Sequence, residues 1–276
     1  MYEDPDQETS VVLEKDDTSS RYLISGVLGP ELIILPKISD NDTKVHSSRC
    51  SHCLDVMSHS VVRRWTNDSL DGAGDYAEAD VQTNYRISRR GKALSRSGKV
   101  YPEILVLVDY TLFRKFGFNV AEARKYVISY FNAVNMRFKT FTQPRIELQI
   151  AGVIFGKSKS SFSFISSSIR YGDMLDAPAT LNAMGQYYYK DRYQFCGHPT
   201  FYSFVIFSRS NLPVYDMVVT LTGLDMARMK NGKMSRSNTG YAYIGGACIR
   251  NAYLKKISSV ALVEDSGGYS GVVVVG

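Results

Sequence analysis

Long apolar runs are missing from this 276-residue chain. Leu32 to Leu35 and Ile104 to Val108 have the length of a strand, far short of the ~20 residues a membrane-spanning helix needs. Met1 is followed by the acidic Tyr2-Glu3-Asp4-Pro5-Asp6, without the basic-then-apolar layout of a secretory leader. That leaves two readings, a cytosolic protein or a chain that lacks its true beginning. Histidine is scarce too. Among His46, His52, His59 and His198, no two stand at i,i+4 beside a glutamate, which excludes a paired-histidine metal helix within these residues. Four cysteines, Cys50, Cys53, Cys196 and Cys248, do not decide the redox compartment. The pI is near 9.0, yet no basic stripe with interleaved aromatics and no recognition motif points to nucleic acid. No internal repeat is present.

The apolar content of 44% suffices for one large domain or two modest ones, and the charged share of 22% is that of a globular protein. The net charge of +6 hides an asymmetry. Residues 1–60 carry eleven acids and five bases, whereas residues from Tyr101 onward carry twenty bases and eleven acids. This describes either two bodies that attract each other or ordinary solvated surface. Sequons at Asn41 and Asn67 fit a secreted chain and also arise by chance.

Three zones follow. Residues 1–66 hold two short apolar strands, Tyr22 to Leu28 and Leu32 to Leu35, in acidic and polar surroundings. Residues 67–100 are poor in large apolar side chains and rich in Asp, Gly, Ser and Arg, so they read as a linker. Within it, Arg86-Ile87-Ser88-Arg89-Arg90 is a pattern that processing proteases cut, or a solvated basic loop. From Tyr101 the pattern becomes dense. Glu103 to Asp109 is an apolar run bounded by charge, as in a strand buried on both faces. Asn119, followed three residues later by Glu122, opens a helix whose stripe of Ala123, Val127, Phe131, Val134 and Phe138 runs to about Lys139. Ile146, Leu148 and Ile150 alternate in a strand reaching Phe155. A Ser-rich loop precedes a helix between Asp173 and Tyr189, and further strands lie at Met217 to Leu221 and Tyr241 to Ile244. The alternation predicts an α/β sheet domain.

Four blocks of this last zone, in order, carry a resemblance. They are Tyr101 to Asp109, Asp216 to Asp225, Gly240 to Cys248, and Val263-Glu264-Asp265-Ser266-Gly267-Gly268-Tyr269-Ser270-Gly271. They resemble the first strand, the central strand, the substrate-binding edge strand and the approach to the active site in reprolysin (adamalysin-type) zinc metalloproteases, with the flavour of tick salivary members. Tyr2 to Pro5 and Gly26 to Pro36 are similar to the later part of such an enzyme's pro-region. The resemblance implies a metzincin-like catalytic domain, a twisted mixed sheet with helices, over residues 101–276. A pro-region fragment over 1–66 would precede it, with maturation at Arg86, Arg89 and Arg90.

The implied activity is zinc-dependent hydrolysis of proteins or peptides, host extracellular proteins among them, by a secreted enzyme. In the family an H-E-x-x-H-x-x-G-x-x-H helix holds the zinc and its glutamate is the general base. The expectation is that this helix begins just beyond Gly276, so the 276 residues alone are inactive and Glu264 is not the base. What remains is the substrate platform, with Gly240, Tyr241, Ala242 and Tyr243 matching the edge strand. The alternative is a non-catalytic secreted protein that grips extended peptides there. Glu103 and Asp216 match two ligands of the family's calcium site, whose others would lie beyond the chain. Cys248 matches a cysteine whose partner would also lie beyond it. His46, Cys50, Cys53 and His59 can be drawn as a small zinc knuckle on a single C-x2-C without a second pair; alternatively Cys50 or Cys53 caps the catalytic zinc, although the surrounding Ser-Arg-Cys-Ser-His-Cys departs from the family's usual latch sequence. His198, before Pro199, reads as an exposed or structural residue.

Overall fold

The computed structural model describes residues 2–16, 21–37, 58–63, 77–78, 98–170, 172–191, 212–230, 233–236, 240–247 and 249–275. The N-terminal zone forms an antiparallel sheet in chain order, β1 (Tyr2–Asp4), β2 (Thr9–Lys15), β3 (Tyr22–Leu28), β4 (Leu32–Pro36) and β5 (His59–Arg63). Sequence patterning predicts β3 and β4; β1, β2 and β5 are additional. Much of this sheet is exposed or only half-buried, so its apolar signal is diluted by charged residues.

Two short strands come next, β6 (Ala77–Glu78) and β7 (Lys99–Val100). The chain then runs through β8 (Glu103–Val108), α1 (Tyr110–Lys115), α2 (Val120–Phe138), β9 (Arg145–Ile146) and β10 (Gln149–Phe155). It continues with α3 (Ser163–Ser166), β11 (Ile169–Arg170), β12 (Met174–Asp176) and α4 (Ala177–Asp191). The remaining elements are β13 (Met217–Thr222), β14 (Met226–Lys230), β15 (Lys233–Ser235), β16 (Gly240–Ile244), β17 (Arg250–Asn251), β18 (Lys256–Ile257), β19 (Val260–Glu264) and α5 (Val272–Val275).

The central sheet has the order β10-β8-β13-β19-β16-β6. Strands β10, β8, β13 and β19 are mutually parallel, and β16 runs antiparallel to β19. Side-chain alternation divides the sheet between two cores. Ile104, Val106, Val108, Val219, Leu221 and Val263 share a cluster with the stripe of α2. Leu105, Leu107, Val218, Val260 and Leu262 face Leu181, Met184 and Tyr188 of α4. Leu105, Val106 and Leu107 are fully buried, as a run without alternation predicts.

Helix α2 starts where the sequence indicates. The side chain of Asn119 accepts from the amides of Ala121 (2.9 Å) and Glu122 (3.3 Å). Glu122 does not close the reciprocal box; its carboxylate lies 3.5 Å from the ammonium of Lys125, and the Asn119 amide donates to Phe116. Two expectations are corrected. The strand expected to run unbroken from Ile146 to Phe155 is split. Asn135 of α2 donates its side-chain amide to the Leu148 carbonyl (2.9 Å) and accepts from the Leu148 N–H (2.6 Å), taking both groups out of the ladder. The helix expected from Asp173 begins only at Ala177. Met174–Asp176 is a strand, and the Asp176 carboxylate caps the helix by accepting from Ala179 N–H.

Candidate functional site

Strand β16 is the edge of the five-stranded core of the central sheet. Gly240, Tyr241 and Ala242 pair with Val263, Leu262 and Ala261 of β19. Tyr241 and Tyr243 lean toward the α4 side, where they pack against its apolar cluster, and Lys256 Nζ sits 5.2 Å from the Tyr243 ring centre. On its other side β16 is joined by β6 at one end, Tyr243 opposite Ala77 and Ile244 opposite Glu78, in parallel. Among the described residues no further strand pairs with Gly240, Tyr241 or Ala242 on that side. The four platform residues expected from the sequence thus lie on one strand, and β6 pairs with Tyr243 alone among them. The turn that ends β16 is tight. Gly246 donates to the Tyr243 carbonyl (3.1 Å), and a Cβ at this position would collide with the Ser258 carbonyl oxygen.

Three carboxylates gather at the carboxyl ends of β8 and β19. Asp109 caps α1 through Leu112 N–H (2.7 Å), and also accepts from Gly223 N–H (3.1 Å) and the Thr222 hydroxyl (2.8 Å). Burial raises its pKa against these bonds. Glu264 accepts from Met226 N–H (2.9 Å), and burial lifts it from 4.5 to about 7. Asp265 is buried and organises the next turn. It accepts from the Tyr126 hydroxyl (2.6 Å), Gly267 N–H (2.7 Å) and Gly271 N–H (3.2 Å). The Tyr126 oxygen in turn accepts from Tyr269 N–H (2.7 Å), and the two rings stack with centres 4.4 Å apart. Burial raises Asp265, and burial followed by the Asp265 charge raises Tyr126. Sequence reasoning gave no role to Asp109 and Tyr126. The signal for Tyr126 was its place on the apolar face of α2, three residues from Ala123.

Beside the end of β8 lies a cavity of about 310 Å³, whose lining includes Asp109, Tyr110, Arg114, Lys159, Phe162 and Leu224. None of its lining belongs to β16. At the opposite end of β8, the structure brings Glu103 and Asp216 together. Asp216 Oδ2 accepts from Glu103 N–H (2.9 Å), and Asp216 N–H donates to the Glu103 carbonyl (2.8 Å).

Among the described residues no cluster of three or more His, Cys, Asp or Glu side chains is placed to hold a metal ion. His59, the one histidine among them, uses Nε2 to accept from Ile24 N–H at 2.7 Å. These residues therefore do not fit a three-ligand zinc site. Arg86, Arg89, Arg90, Cys50, Cys53, Cys196, Cys248, His46, His52 and His198 all lie outside the described residues.

No protein-family model matches the sequence. Curated relatives do. A Bombyx mori protein named "A disintegrin and metalloproteinase with thrombospondin motifs like" is 29% identical over 315 residues, covering 99% of this chain and 43% of the relative. Venom metalloproteinase 2 of Eulophus pennicornis is 28% identical, covering 99% of this chain and 56% of its own length. The chain resembles reprolysin-type metalloproteases. Venom metalloproteinase 3 of Eulophus pennicornis is also 28% identical, over 63% of this chain. The chain spans about half the length of the first two metalloproteinase relatives. Its mixed α/β build with several sheets fits a metalloprotease domain. A solved structure titled "Structure of a chaperone-substrate complex" aligns with 63% of the chain at 12% identity and a TM-score of 0.35, too low to bear on the fold.

Proposed function

We propose that residues 101–276 belong to the metzincin-like catalytic domain of a secreted zinc metalloendopeptidase and that β16 is its substrate strand. The observation that carries this is the position of Gly240–Ile244. The strand expected to hold substrate is antiparallel to β19 at one margin of a parallel core, where an extended peptide adds by main-chain hydrogen bonds. Residues 1–66 act as a pro-region fragment and 67–100 as the linker, cut at Arg86 to Arg90. Zinc would supply an activated water and a polarised carbonyl. The described residues hold no set of ligands for it, so no catalytic step is assigned to them. Their part is to bind and align the peptide. Glu103 and Asp216, adjacent at the amino ends of β8 and β13, support a share in a calcium site, with one Asp216 oxygen already engaged by an amide. Calcium takes about six to eight oxygens, so other groups must complete the shell.

In the second reading the same strand holds extended peptides without cutting them. The purified chain is expected to show no chelator-sensitive hydrolysis of a mixed peptide substrate, and such hydrolysis would overturn this. The two readings separate on the transcript. An in-frame H-E-x-x-H after residue 276 supports the protease domain, and a stop codon with a stable secreted product supports the binding protein.

A further inference from the structure

Strands β8 and β13 are parallel neighbours from which the chain departs in opposite directions. From the carboxyl end of β8 it passes through α2 to β10, and from that of β13 it passes to β19 on the far side. Connections that diverge in this way leave a crevice between them, and such a switch point is where open α/β sheets bind small ligands. The cavity of about 310 Å³ lies there. Its lining draws on the segments that follow β8 (Thr111, Arg114), β10 (Lys159, Phe162) and β13 (Leu224). Gly156 lets two of these segments close on each other. A Cβ there would stand 3.0 Å from the Tyr110 nitrogen and 3.1 Å from the Phe162 ring.

The lining divides by chemistry. Phe162 and Ile165 are buried, and with Leu224 they give an apolar wall. Arg114 and Lys159 are exposed, and among the described residues no carboxylate pairs with either. Two acids belong to the same lining. Asp109 is committed to the protein, since its carboxylate accepts from Leu112 N–H, Gly223 N–H and the Thr222 hydroxyl. Asp173 is exposed and solvated. Two cations without a protein partner thus stand beside an apolar wall, which suits an anion with an apolar body.

We propose that this cavity binds a small organic anion, a carboxylate carried on a ring or branched apolar body, with Arg114 and Lys159 holding the charge. The volume is at the low end for ligand pockets and suits roughly a dozen non-hydrogen atoms. No residue of β16 lines the cavity, and the proposal rests on sheet topology and charge, so it and the protease reading can fail separately.

The test titrates the 276-residue protein with 3-phenylpropionate and with its neutral amide, followed by amide NMR at low salt. Shifts centred on Thr111, Lys159 and Leu224 are expected, with a Kd on the order of 1 mM for the acid and at least about fivefold weaker binding of the amide. Replacing both cations, Arg114→Gln with Lys159→Gln, should weaken the acid about tenfold and leave the amide unchanged, a split that misfolding would not give. Leu224→Trp should fill the cavity and abolish binding of both. N-acetyl-alanyl-phenylalanine carries the same carboxylate at the end of a chain, and the size of the cavity predicts weaker binding than the free acid. No shifts at about 20 mM, or shifts centred elsewhere, would overturn the proposal. So would equal binding of the amide, an unchanged affinity in either variant, or tighter binding of the dipeptide.

Discussion

Replacing Glu264 with Gln removes a titratable group while keeping an oxygen to accept from Met226 N–H, so it isolates the cost of burying charge at the end of β19. In the folded protein burial raises this carboxyl from 4.5 to about 7. Between these values the folded state holds a proton that the unfolded state has lost. The stabilisation this gives is therefore full below pH 4.5 and is lost as pH rises through about 7. At roughly 1.36 kcal/mol per pH unit the upper bound is about 3.4 kcal/mol. Solvent still reaches this side chain and screens it, which reduces the expected effect to about 1.5 kcal/mol. Asp109 is raised in the same direction but is present in both proteins and cancels in the comparison, whereas the charge of Asp265 helps raise Glu264 and so is part of what the substitution removes. Thermal melts of the wild type and Glu264→Gln at pH 8 should differ by about 3–6 °C in favour of the variant, and the difference should vanish by pH 4.5. A difference independent of pH, or one favouring the wild type at pH 8, would refute the assignment of a half-buried, proton-holding Glu264.

Other perturbations test the scaffold around the site. Tyr126→Phe removes a hydrogen bond to a buried carboxylate and the acceptor for Tyr269 N–H, and should cost about 1.5–3 kcal/mol in a denaturant titration. Asn135→Ala strands both backbone groups of Leu148; a loss of about 1–3 kcal/mol is expected, with exchange of the Leu148 amide accelerated. Gly246→Ala should destabilise by about 1–3 kcal/mol, since the new methyl meets the Ser258 carbonyl, and should weaken peptide binding at β16.

The sequence disclosed most where one face or both faces of an element are dry. The uniform apolar run at Glu103–Val108 and the three-to-four stripe of α2 exist because water is excluded there, and the structure places both as read. Legibility failed where long-range bonds override pattern. Nothing local to Glu147-Leu148 announces that Asn135 will take the ladder's place, and nothing near Met174 announces a pairing with Met226 and its neighbours, which lie some fifty residues on. The N-terminal sheet was half legible for a related reason, since strands open to water dilute their alternation. At the site, the residues of β16 are together because a strand is contiguous. The buried network of Tyr126, Asp265 and Tyr269 joins side chains 139 and 143 residues apart, a meeting that only the fold produces.

We propose that β16 receives an extended peptide along the margin facing away from β19. The most direct measurement is an NMR titration of the 276-residue protein with an extended peptide and with the same peptide N-methylated at alternate residues. Shifts centred on Gly240, Tyr241 and Ala242, abolished by N-methylation, are the result this account requires. Binding that leaves those amides unmoved, or that N-methylation does not weaken, would contradict it.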